Sequence, residues 1–170
     1  MSGPWASRIL APFVSRLTQE RIAFLLEIPI FHGLSAVQAG KLLTRCVERI
    51  YETNAPVFEE GDLGKALFLV LSGRVAIYKK AADGSELALA TLVSGGYFGE
   101  LALLDTLPRS AGARALEKSV LLILYRSDFD DLVSAHADIG VPVMRTIAKN
   151  LSGQLRNTNE QLARARAGGK

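Results

Sequence analysis

Between residues 48 and 125 short apolar runs alternate with turn signals. The runs lie at 48–53, 56–59, 66–71, 75–80, 86–92, 110–115 and 119–125. Asn54-Ala55-Pro56, Gly61-Asp62, Ser72-Gly73 and Asp83-Gly84 separate several of them, and Asp-Gly supplies the positive φ angles of a tight hairpin. Val75 and Ile77, then Leu87 and Leu89, alternate with other residues as in half-buried strands. Leu67 to Leu71 is apolar throughout, which predicts a strand covered on both faces. So many short strands at this spacing predict a sandwich, jelly roll or barrel.

Both ends read as helix, so the class is α+β, mainly β. Trp5, Ile9, Leu10, Phe13, Val14 and Leu17 recur at helical spacing, and a helix over 19–27 should stop before Pro29. Ser35 followed by Gln38 is a capping-box pattern for a helix that should reach Cys46. Ser127-Asp128 should open another helix, and a long one should start near Pro142 and run to about Ala165. Its Ala148, Leu151, Leu155, Thr158, Leu162 and Ala165 form a short heptad stripe. The domain reading is a helical segment at 1–27, a barrel with short flanking helices at 28–136, and a helix with a loose tail at 137–170.

Composition narrows the function. The net charge of +3 is too small by itself to imply nucleic acid. The single thiol, Cys46, cannot form an internal disulfide, which fits a reducing, cytoplasmic setting. No apolar run is long enough for a transmembrane helix. A barrel metalloenzyme would need histidine and carboxylate ligands on strands. The two histidines, His32 and His136, fall in helix or turn segments instead. No nucleophile–base arrangement is evident, so an enzyme is not expected.

The chemistry concentrates in Gly95-Gly96-Tyr97-Phe98-Gly99-Glu100-Leu101-Ala102-Leu103-Leu104-Asp105-Thr106-Leu107-Pro108-Arg109-Ser110-Ala111. The glycines allow a sharp turn and close approach to a ligand. A helical turn opening at Glu100 would present unpaired N–H groups to an anion. Arg109 brings a planar guanidinium fork suited to phosphate, Ser110 a hydroxyl, and Glu100 an acceptor for a sugar hydroxyl. Together they suit a sugar phosphate.

This stretch resembles the phosphate-binding cassette of cyclic nucleotide-binding domains. The match lies in Phe98-Gly99-Glu100-Leu101-Ala102-Leu103 and Pro108-Arg109-Ser110-Ala111, with supporting similarity at 30–35, Gly61-Asp62 and 67–73. The resemblance implies a jelly-roll barrel holding a cyclic nucleotide, with helices before it and a long one after it. Glu100 would accept from the ribose 2′-hydroxyl, and Arg109 would pair with the phosphate. Backbone amides of Gly99, Leu101 and Ala102 and the Ser110 hydroxyl would complete the cradle. Val75 and Phe98 would pack on the ligand, and Gln154, or else Asn150 or Asn157, would cap the base. Ser110, where relatives preferring cyclic GMP often carry Thr, points to cAMP, with cGMP the alternative.

The same resemblance implies a sensor whose last helix rearranges, forms a homodimer seam and signals to a protein partner. Only about fifteen residues follow Leu155, so a helix-turn-helix domain and direct DNA binding are not expected. The competing readings are a ligand-independent interaction module on the same fold, or a fragment of a cAMP-responsive transcription regulator.

Overall fold

The computed structural model describes residues 5–81 and 83–168, without the side chains of 5–15, 165, 167 and 168. The apolar stripe from Trp5 to Val14 therefore lies outside the described side chains. Helix α1 spans Trp5–Glu27 without a break, and a 3-10 turn over Pro29–Phe31 leads to α2, Ala36–Leu43. The capping box is present: Ser35 Oγ accepts from Gln38 N, and Gln38 Oε1 accepts from Ser35 N at 2.8 Å.

The strands follow as β1 (Cys46–Tyr51), β2 (Pro56–Phe58), β3 (Ala66–Ser72), β4 (Val75–Lys80), β5 (Glu86–Leu92), β6 (Tyr97–Phe98), β7 (Gly112–Ala115) and β8 (Ser119–Tyr125). They form two antiparallel sheets, ordered β1-β8-β3-β6 and β2-β7-β4-β5. Helices α3 (Arg126–Ala135) and α4 (Ala137–Gly168) close the chain. No helix among the described residues is long and apolar enough to cross a membrane.

The reason β3 is apolar from Ala66 to Leu71 is that both its faces are covered there, and β8 shares the arrangement. Phe68 and Val70 with Leu121 and Ile123 fill the space between the sheets. Leu67 and Leu69 with Leu122 and Leu124 pack outward on the helices, against Leu25, Phe31, Phe129, Ile139, Val143 and Ile147. Period-two alternation therefore sends alternate residues into two separate cores.

Several local expectations differ. Cys46 is not in a helix: α2 ends at Leu43, and Cys46 opens β1 with its thiol directed at Leu42 O, 3.4 Å away. Leu87 and Leu89 are not the inward face of β5; they are 61% and 52% exposed, while Ala90 and Leu92 turn inward. Helix α3 begins at Arg126, capped by Tyr125 without a side-chain bond. Helix α4 starts at Ala137 and carries Pro142 in its interior. A proline there leaves the carbonyl four residues earlier without its donor. That carbonyl is Asp138 O, and Gln38 Nε2 donates to it at 3.1 Å. Gln38 also donates to the Asp138 carboxylate at 2.7 Å. The α2 cap thus repairs the bond that Pro142 removes.

Candidate functional site

The site grows from three phenylalanines at the end of the barrel. Phe58 on β2, Phe68 on β3 and Phe98 on β6 have ring centroids 5.2–5.8 Å apart, with Phe68 and Phe98 stacked. Above them lies Arg109, its guanidinium carbon 4.2 Å from the Phe58 ring centre and 5.6 Å from that of Phe68, in the range of cation–π attraction. The backbone fixes Arg109 from one side. Its N–H donates to Asp62 O at 2.7 Å, and its carbonyl accepts from Gly61 N at 2.9 Å. The side chain is held from the other: Nη2 donates to Ala66 O at 2.8 Å and Nη1 to Gly99 O at 3.3 Å. Nε is buried and has no partner among the described residues. Burial pushes the guanidinium pKa down, opposed by the Asp62 and Glu100 carboxylates. Arginine stays charged regardless, so this corner holds a desolvated cation with a spare donor.

Gly99 explains how the chain passes so close. Its φ of +76° is left-handed, and a Cβ there would lie 2.5 Å from Arg109 Nη1 and 3.0 Å from Ala66 O. Directly after it, Glu100–Leu103 form a 3-10 turn rather than a full α-helix. Ala102 N donates to Gly99 O at 3.2 Å, so that amide is already engaged within the turn. The Glu100 carboxylate is half-buried and has no hydrogen bond or ion pair among the described residues.

These groups open onto a cavity of about 390 Å³, within the common range of small-molecule sites. Of the residues expected at the site, Phe98, Gly99, Glu100, Leu101, Ala102, Arg109 and Ser110 all line it. Val75 does not; it is fully buried in the core between the sheets, one strand pleat away from the wall. Gln154 also does not line the cavity and is exposed on α4. Asn150 is half-buried, and its Nδ2 donates to Tyr97 Oη at 3.0 Å.

Phe58, Ile77, Leu92 and Tyr97 form the apolar wall and were not anticipated. Ile77 was within reach of the β4 alternation with Val75, whereas Leu92 lies on the opposite parity of β5 from Leu87 and Leu89. Tyr97 lies within the glycine-rich stretch beside Phe98, whereas Phe58 carries no such sequence signal.

A left-handed glycine, a desolvated arginine and a free carboxylate around one apolar cavity define a binding site for a small anionic, hydroxyl-bearing ligand. The sequence profile of the cyclic nucleotide-binding domain matches residues 48–136. The chain belongs to that family, and this is a cyclic nucleotide-binding regulatory domain. Among known proteins, it is 43% identical to the cyclic AMP receptor protein of Thermus thermophilus over 105 residues, 62% of this chain and 49% of that one. It is 36% identical to a cAMP-dependent protein kinase regulatory subunit of Yarrowia lipolytica over 115 residues, 68% of this chain and 30% of that one. The chain therefore spans half or less of these relatives. The solved catabolite activator protein of Thermus thermophilus superposes with a TM-score of 0.74 at 37% identity, covering 81% of this chain and 63% of that one.

Proposed function

We propose that this chain is a cAMP sensor without catalytic activity, signalling to a partner protein by rearranging α4. The observation that carries the reading is Arg109: a half-buried guanidinium over the Phe58 ring, with Nε buried and unpaired among the described residues, in the wall of a cavity that also holds Glu100. An unpaired buried donor is costly, and an anionic ligand oxygen offsets that cost. The residues present therefore fit a cyclic nucleotide. In this reading Arg109 and Ser110 take the phosphate, together with the amides of Gly99 and Leu101, the Ala102 amide being committed to Gly99 O. Glu100 takes the ribose 2′-hydroxyl. Phe98 and the apolar wall take the base side. The relatives named for cyclic AMP support that nucleotide over cyclic GMP.

The three-part division into 1–27, 28–136 and 137–170 then separates two helical arms from the sensor. Leu155 and Leu162 of α4 are 62% and 49% exposed. An uncovered heptad stripe of this kind supports a homodimer seam along α4. The free thiol fits the cytoplasm.

The test compares cAMP with its 2′-deoxy analogue, in the wild type and in Glu100→Ala. The wild type should prefer cAMP by about 1.5–3 kcal/mol, the value of a hydrogen bond to a charged group. Glu100→Ala should bind both equally. Equal binding of both by the wild type would refute the assigned role of Glu100. A partner captured equally with and without nucleotide would favour the ligand-independent module.

A further inference from the structure

Helix α4 is held to the body along one short stripe. Ile139, Val143 and Ile147 follow one another at four-residue steps and are buried. Beyond Leu151 the helix departs, and every described side chain from Gln154 to Arg164 is exposed. The residues after Leu151 extend about 25 Å at 1.5 Å per residue. Asn150 therefore sits where the anchored part ends and the free lever begins.

At that point stands a polar bond that spans from helix to cavity. Asn150 Nδ2 donates to the hydroxyl of Tyr97, which lines the cavity immediately before Phe98-Gly99-Glu100. Gln38 also ties α4 to the rest of the chain, by side-chain hydrogen bonds to Asp138 at the first turn of the helix. Tyr97 is also pinned through its backbone, paired with Leu69 of β3. Burial and the Glu100 carboxylate together push its phenol pKa up, the Asn150 bond acting against them. One tyrosine thus shares a field with Glu100, touches the cavity and holds the base of the lever.

We infer that the Asn150–Tyr97 hydrogen bond is the coupling element through which occupancy of the cavity sets the position of α4. This rests on the cavity being a nucleotide site. A ligand shifts a helix only if it interacts differently with the two arrangements, and a group that meets both cavity and helix can carry that difference. Asn150 acts here as a positioning residue, since it does not line the cavity. Its amide is committed to Tyr97 rather than offered to a base.

Hydrogen exchange separates the parts. The segment 98–109 reports occupancy, and the segment 147–156 reports α4. In the wild type, saturating cAMP should slow exchange in the first and change it in the second. In Asn150→Leu the first response should persist and the second should fall to less than a third of its wild-type size. Asn150→Ala, which removes the amide without adding apolar bulk, should do the same. A purely structural bond would alter α4 exchange equally with and without nucleotide, leaving the difference intact. That result in both variants would overturn the inference, as would a wild type whose 98–109 segment responds while α4 does not. A wild type in which 98–109 itself is silent would refute the nucleotide reading, and the coupling with it.

Discussion

Replacing Gly99 with alanine should weaken both the fold and the site, and a second glycine separates the two effects. Gly95 and Gly99 both sit at positive φ, +85° and +76°. A side chain in that region costs about 1–2 kcal/mol. At Gly95 a Cβ meets nothing within 4 Å, so Gly95→Ala should cost only that amount. At Gly99 the Cβ would lie 2.5 Å from Arg109 Nη1 and 3.0 Å from a backbone carbonyl that cannot retreat far. The guanidinium must move, losing a hydrogen bond worth about 0.5–1.5 kcal/mol. Gly99→Ala should therefore cost about 1.5–3.5 kcal/mol in urea unfolding. The displaced Arg109 should also weaken nucleotide binding at least tenfold, whereas Gly95→Ala should leave it unchanged. Equal stability losses with equal affinities would refute the close passage of Arg109 past Gly99.

Two further outcomes follow from local chemistry. The Cys46 thiol is pushed up to about 12, by burial first and the Asp128 carboxylate second, leaving a thiolate fraction near one in ten thousand at about pH 8. Alkylation of the folded protein should be far slower than of the urea-unfolded chain; equal rates would show an accessible thiol. The Asp138 carboxyl lies below its ordinary range, chiefly through its bond from Gln38. A lowered folded pKa stabilises above the unfolded value and is lost as pH falls through the folded one. Asp138→Asn should therefore flatten the fall in melting temperature between about pH 5 and 3, and an unchanged slope would contradict that linkage.

The sequence made the twofold burial of β3 legible because every position from Leu67 to Leu71 is apolar. It made the cassette legible because its glycine, carboxylate and arginine lie within eleven residues of one another. What it concealed depends on distant partners. Pro142 looked like a helix start because the donor that rescues its turn, Gln38, lies a hundred residues away. Tyr97–Phe98 was not visible as a strand because two residues carry no periodicity; pairing with Leu69 and Phe68 defines it. The parity of β5 was misassigned because its outer leucines are larger than the inward Ala90, so size pointed the wrong way. Val75 faces the space between the sheets but lies deeper than the cavity wall, a distinction alternation cannot make.

The central claim is that Arg109 anchors a cyclic nucleotide phosphate, and calorimetric titration tests it most directly. Wild type and Arg109→Ala would each be titrated with cAMP and with cGMP, using protein shown to be free of carried-over nucleotide. Losing one partner of a buried charge-assisted pair costs about 2–5 kcal/mol, roughly thirty- to several-thousand-fold in affinity. The account predicts micromolar or tighter binding of cAMP by the wild type, weaker binding of cGMP, and near-complete loss in the variant. No binding of either nucleotide to the wild type, or undiminished binding to Arg109→Ala, would contradict it.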